Sequence, residues 1–191
     1  MTKFKKIFFI LFVFLFLNTK SYSEIVDKVI VKGNERISLE TILIFGDINI
    51  GQDYEAADLN LIIKKLYETT FFSNISAEIG NGELRIFVEE NPIIVSVVFD
   101  GEKADKFKDA ISELLLLREN TSFIQNSIKT DINKIKEFYR TLGFYFVKIE
   151  AEVEKLEKNR VNIIYNIDKG DKAKIAKIYF LGDKKIREKK L

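Results

Sequence analysis

"LYETTFFSNISAEIGNGELRIFVEE", Leu66–Glu90, contains a change of period that decides the fold. Into this stretch runs a helical stripe, because Leu59, Ile62, Ile63, Leu66 and Tyr67 fall on one face at a period near 3.6. Beyond Phe72 the period is two. Ile75, Ala77 and Ile79 alternate with Ser76 and Glu78, the turn Gly80-Asn81-Gly82 follows, and Leu84, Ile86 and Val88 alternate with Arg85, Phe87 and Glu89. A helix that leads straight into a hairpin buries one face of that hairpin, since alternate strand residues point to opposite sides.

Working outward, Val29 and Val31 mark a short strand ending at Gly33-Asn34. A short helix carries Leu39, Ile42 and Phe45 with Ser38 as its N-cap, and Asp53 is placed to cap the longer helix. Pro92, the only proline, marks a boundary, and the order then repeats. A strand covers Ile94 to Phe99 and ends at Gly101; Phe107, Ile111, Leu114 and Leu115 mark a short helix. A longer helix has the stripe Ile128, Ile132, Ile135, Tyr139 and Leu142, with Ser122 and Gln125 at capping-box spacing and Gly143 as its stop. The closing strands hold Ile149, Ala151 and Val153, then Val161, Ile163, Tyr165 and Ile167. Tyr67, Thr69 and Phe72 recur 72 residues later as Tyr139, Thr141 and Phe144. The opening strand and turn, "KVIVKGNERI" (Lys28–Ile37), is echoed as "SVVFDGEK" (Ser96–Lys103) and again as "KIYFLGDKKI" (Lys177–Ile186).

The expected fold class is therefore α+β, with tandem two-layer units, each β-α-α-β-β, in which two helices cover a three-stranded mixed sheet. The expected divisions are a signal peptide over 1–23, a first unit over 24–91, a second over 92–169, and the first strand of a truncated third unit over 170–191. For the leader, Lys3, Lys5 and Lys6 precede the apolar run Ile7–Leu17, and Ser21 and Ser23 present small residues for cleavage between Ser23 and Glu24. The alternative, a membrane anchor, would need roughly 20 apolar residues.

The chain has 31 basic and 29 acidic side chains; taking away the four lysines of residues 1–23 leaves 27 against 29. With signs interspersed, no basic patch points to a nucleic-acid partner. The absence of histidine and cysteine removes the usual general base, Ser-His and Cys-His nucleophiles, and disulfides or thiolate metal sites. Phosphate-cradling Gly-rich patterns are also missing. The pair Glu89-Glu90 is expected to be a solvated strand end, and the cluster Lys184, Lys185, Arg187, Lys189 and Lys190 a solvated charge run. The triplets at Asn74 and Asn120 matter for glycosylation only on a eukaryotic secretory route. No catalytic, cofactor-binding or metal-ligating residue is assigned. What remains is backbone chemistry: a three-stranded sheet has two edges that can accept an extended segment from another chain. The candidates are Ile75, Ala77 and Ile79 in one unit and Ile149, Ala151 and Val153 in the other, provided their strands lie at an edge. Ser76 and Glu78, with Lys148, Glu150, Glu152 and Glu154, are instead candidate gatekeepers against such pairing.

The stretches "VKGNERIS", "LYETTFFSNISAEI", "LRIFVEENPIIVSVVFDGEK", "FYRTLGFYFVKIEAEV" and "NRVNIIYNIDKGDKAKIAKIYFLGDKKI" resemble the periplasmic POTRA domains of outer membrane assembly factors of the BamA family. The joints "VEENPII" and "IDKGDKAKIAKIYFLGDKKI" are the more specific pieces. In two places the chain departs from the family: Phe71 stands where the second repeat has Gly143, and Asp100-Gly101-Glu102 replaces the more usual Gly-Asn turn, which leaves both turn geometries open. The resemblance implies a periplasmic arm of the β-barrel assembly machinery, at the periplasmic face of the outer membrane, that receives unfolded outer membrane proteins and docks accessory lipoproteins. It implies no enzyme activity and no cofactor. It also implies that the chain is a fragment or truncated product whose membrane contact would run through a barrel these residues do not contain. Alternatives are a POTRA arm of a two-partner secretion or autotransporter translocation protein, an inner-membrane division protein with a POTRA-like domain, and a small exported hydrolase with a carboxylate-only site.

Overall fold

The computed structural model describes residues 24–177, so the expected signal peptide, Ser23 and residues 178–191 of the expected third strand lie outside the described residues. The chain divides into two compact units between Asn91 and Pro92. Among the described residues no helix is long and apolar enough to cross a membrane.

The first unit contains β1 (Glu24–Ile25), β2 (Lys28–Lys32), α1 (Leu39–Gly46), β3 (Asp53–Tyr54), α2 (Ala56–Glu68), β4 (Phe72–Gly80) and β5 (Glu83–Glu90). Its main sheet has the order β2-β5-β4, parallel between β2 and β5 and antiparallel between β5 and β4. Ser38 caps α1, its hydroxyl accepting from the Thr41 amide at 3.2 Å. Asp53 does not cap α2. It pairs with Ile25 in the small β1–β3 ladder, and α2 begins instead at Glu55, whose amide donates to the Asp58 carboxylate at 2.8 Å. Ile42, Ile62, Leu66, Leu84 and Ile86 form the centre of the core, each at most 3% exposed. Burial of such a side chain stabilises the fold by about 1.5–3 kcal/mol.

The second unit repeats the plan with β6 (Ile93–Asp100), α3 (Asp105–Leu114), α4 (Ser127–Thr141), β7 (Lys148–Leu156) and β8 (Arg160–Asp168). The sheet order is β6-β8-β7, again parallel then antiparallel. Ile94, Ile111, Ile135, Tyr139, Ile163 and Tyr165 are fully buried between helices and sheet. The expected capping box is absent: Ser122 bridges Ile93 at the edge of β6, and α4 starts five residues later at Ser127. At its other end the Gly143 amide bonds the Arg140 carbonyl and the Phe144 amide bonds the Tyr139 carbonyl, both at 3.0 Å, with Gly143 at φ 92°. This is a Schellman stop. In the first unit the left-handed residue comes one position earlier than Phe71: Thr70 has φ 62°. A β-branched residue there is strained. Thr70→Gly is therefore expected to raise stability by about 0.5–1 kcal/mol, read from the urea midpoint.

The glycine that ends each opening strand has the same geometry in both units, despite the different residues around it. Gly33 has φ +87° and Gly101 φ +83°, and a Cβ on them would lie 2.0 Å from the Val88 carbonyl oxygen and 2.1 Å from that of Ile167. Asp100-Gly101-Glu102 thus preserves the turn.

Three buried acids hold loops. Glu90 is not a solvated strand end: only 7% exposed, its Oε1 accepts from the amides of Glu35, Arg36 and Ile37 at 2.8–2.9 Å, and Arg36 approaches Oε2 at 3.5 Å. In the second unit the charges trade places. Glu102 sits in the loop and Lys169, next after Asp168 as Glu90 is after Glu89, reaches it at 3.3 Å. Asp131, on the inner face of α4, accepts from the amides of Leu116 and Leu117 at 2.8 and 2.9 Å.

Burial pushes the Glu102 carboxyl up, but bonds from the Tyr139 hydroxyl, the Ala104 amide and Lys169 outweigh it and leave the pKa below its usual 4.5. A folded pKa below the unfolded one contributes stability above the unfolded value, and that stability is lost as pH falls through the folded value. The stability gap between the native chain and Glu102→Gln is therefore expected to be widest at neutral pH and to narrow as the pH falls through and below the usual carboxylate range in urea titrations.

Candidate peptide-accepting edges

β4 and β7 each pair on one side only, so Ile75, Ala77, Ile79, Ile149, Ala151 and Val153 all lie on edge strands. Their side chains face inward: Ile75 and Ile149 are each 6% exposed, and the other four pack against the cores. Whatever these positions offer to another chain is therefore main chain.

The hydrogen bonds of β4 show which main-chain groups face outward. The Ile75 amide donates to the Tyr67 hydroxyl of α2 at 3.0 Å, so that amide points away from β5. In an antiparallel pair, residues alternate between facing the partner strand and facing away. Ala77 and Ile79 share the parity of Ile75 and present N–H and C=O to the free edge, whereas Tyr67 closes the start of that edge.

The opposite edge of the second unit is partly occupied. The Ile94 amide donates to the Thr121 carbonyl at 3.0 Å, Asn120 to Ile94 at 2.8 Å and Phe123 to Pro92 at 2.7 Å, so residues 120–123 cover the start of β6. Of the proposed gatekeepers, Glu78 is drawn toward the central strand by Arg85 at 2.9 Å, and Glu154 accepts from Asn162 of β8 at 2.8 Å. Lys148, Glu150 and Glu152 are exposed on β7.

Among the described residues there is no group of three or more acids, histidines or cysteines able to hold a metal ion. Glu90, Glu102 and Asp131 are committed to backbone amides. Two of these acids carried a signal in the sequence. Glu90 continues the parity of Leu84, Ile86 and Val88, and Asp131 lies three residues after Ile128 on the apolar stripe of α4. The Tyr67 contact carried none, because the same residue also completes a helical stripe.

A two-layer β-α-α-β-β unit with an open antiparallel edge, repeated in tandem, is the architecture of POTRA domains. Residues 92–170, the second unit, match the POTRA family, described as surface antigen variable number repeat. Over 84% of its length it is 33% identical to outer membrane protein assembly factor BamA of Neisseria meningitidis, and over 88% it is 25% identical to BamA of Neorickettsia risticii. The chain spans 20 and 23% of the length of these curated relatives. The N-terminal domain of Omp85 from the cyanobacterium Thermosynechococcus elongatus has the same fold, with a TM-score of 0.52 at 15% identity, over 76% of this chain and 63% of that one.

Proposed function

We propose that this chain is a periplasmic arm of an outer membrane protein assembly machinery, a scaffold without catalysis that receives unfolded outer membrane proteins and docks accessory lipoproteins. The observation that carries this reading is the 33% identity to an outer membrane assembly factor, which extends through both units. The edges support a mode for it. An unfolded barrel strand alternates apolar and polar residues and brings unpaired main-chain groups, and β4 and β7 offer the matching groups. Binding through main chain is tolerant of sequence, as an arm that meets many clients requires. The place of action would be the periplasmic face of the outer membrane.

The test is a titration with a ten-residue peptide of alternating apolar and polar residues. Proline is tolerated on an edge where the amide faces solvent, but it removes the donor that an added strand needs. Ala77→Pro together with Ala151→Pro is expected to cost less than about 1 kcal/mol in urea unfolding and to weaken peptide binding at least about tenfold. Unchanged affinity in the folded double variant would remove strand addition at these edges from the account.

A further inference from the structure

The hairpin turn of the first unit is Asn81-Gly82, the only Asn-Gly pair in the chain. It joins Gly80 of β4 to Glu83 of β5, with Asn81 at φ 56° and Gly82 at φ 74°, the left-handed pair that so short a loop requires. Asn-Gly is also the pair in which the side-chain amide is most open to attack by the next backbone nitrogen, because glycine has no Cβ to stand in the way. The fold treats the two reacting groups differently. The Asn81 side chain is exposed, and its carboxamide makes no hydrogen bond among the described residues. Gly82 is held on both sides. Its amide donates to the Glu24 carboxylate, and its carbonyl accepts from the amides of Asp27 and Lys28 at 2.8 and 3.2 Å. The electrophile is free to turn, and the nucleophile is clamped by the Glu24–Lys28 segment.

We propose that Asn81 is a site of spontaneous deamidation restrained by the Glu24–Lys28 segment, so that release of that segment commits the turn to a negative charge. In the step, the Gly82 nitrogen gives up its proton to solvent and bonds to the Asn81 side-chain carbon, and ammonia leaves. Water then opens the resulting succinimide to aspartate or isoaspartate, so that one water is consumed for each ammonia released. Ring closure swings the Gly82 nitrogen toward the Asn81 side chain and away from Glu24, and a carbonyl bonded to two amides resists that swing. The product opposes reclosure. Its carboxylate lies one residue from Gly82, which Glu24 and Asp27 already flank, the Asp27 Oδ2 being 3.3 Å from the place a Gly82 methyl would take. Like charges gathered at one turn disfavour one another. Isoaspartate also lengthens the backbone of a loop whose length sets the hairpin register. The second unit has no counterpart, because its left-handed turn residues are Lys158 and Asn159, and the side chain of Arg160 obstructs attack on Asn159.

The test is to incubate the full chain in mildly alkaline buffer and follow Asn81 by peptide mass mapping and ammonia release. The native chain is expected to convert at least about tenfold more slowly than the same chain unfolded in urea. Glu24→Ala is expected to raise the native rate at least about tenfold while amide exchange in both cores stays as it was. Glu24→Gln keeps an acceptor oxygen and is expected to raise it less. Asn81→Asp, standing for the product, is expected to speed amide exchange at Asp27 and Lys28 at least about threefold. A native chain that converts as fast as the unfolded one, or at a rate that neither Glu24 variant changes, would overturn the proposal. Exchange at Asp27 and Lys28 left unchanged by Asn81→Asp would overturn the commitment of the turn.

Discussion

Gly101→Ala is expected to destabilise the second unit by about 3–5 kcal/mol, a large fraction of the stability of an ordinary domain, and Gly33→Ala is expected to do the same to the first. Two effects add at these positions. A φ near +85° costs an L-residue about 1–2 kcal/mol. The larger part is steric, because the new methyl would meet a main-chain carbonyl of the central strand at 2.1 Å in one unit and 2.0 Å in the other. That carbonyl belongs to a strand paired on both sides, so it cannot move away without breaking a ladder. Gly51 separates the two effects, having φ +88° but no atom within 4 Å of the place a methyl would take, so Gly51→Ala should lose only the conformational part, about 1–2 kcal/mol. Urea unfolding followed by amide signals from each unit measures all three variants. Equal losses at Gly51 and Gly101 would contradict the close-approach account.

Asp131→Ala is expected to cost the second unit about 3–5 kcal/mol. The carboxylate is fully buried, and its two oxygens hold the amides of Leu116 and Leu117 where the chain turns from α3 toward α4. Removing it leaves those amides short of partners and opens a cavity beside Tyr165, whose hydroxyl lies 3.4 Å from Oδ2. Asp131→Asn keeps the shape and one acceptor oxygen, so its loss should be smaller, about 1–2 kcal/mol. The contrast between Asn and Ala, again by urea unfolding, distinguishes loss of an acceptor from loss of volume. Matching losses for the two variants would show that the pair of carboxylate acceptors, not the filled volume, secures the loop.

Much of this architecture is legible in the residues because period and order survive there. The switch from helical to alternating spacing at Phe72, and its recurrence at Phe144, is a direct consequence of which faces must be buried. Local capping is less legible. Asp53 and Ser122 have the right side chains for caps, yet Asp53 lies in the two-residue β1–β3 pairing and Ser122 in a single bridge to Ile93, so neither stands at a helix start. Glu90 misleads for a different reason: its charge suggests solvent, whereas the parity of its strand puts it against three loop amides. The edge positions of β4 and β7 follow from the sheet order, which alternation alone does not specify, because a strand reads the same at the centre and at the rim. Which amides of β4 face outward follows from its register with β5, and a tyrosine contact from α2 takes up one of them.

The central claim is that the chain engages extended clients through the free main chain of its edge strands. Amide hydrogen exchange, resolved by residue with and without a saturating ten-residue alternating peptide, tests it most directly. Slower exchange is expected at Ala77 and Ile79 and within 149–153, with little change at Ile75, whose amide Tyr67 already holds. Protection confined to the helices, or spread evenly over both units, would contradict strand addition as the mode of binding.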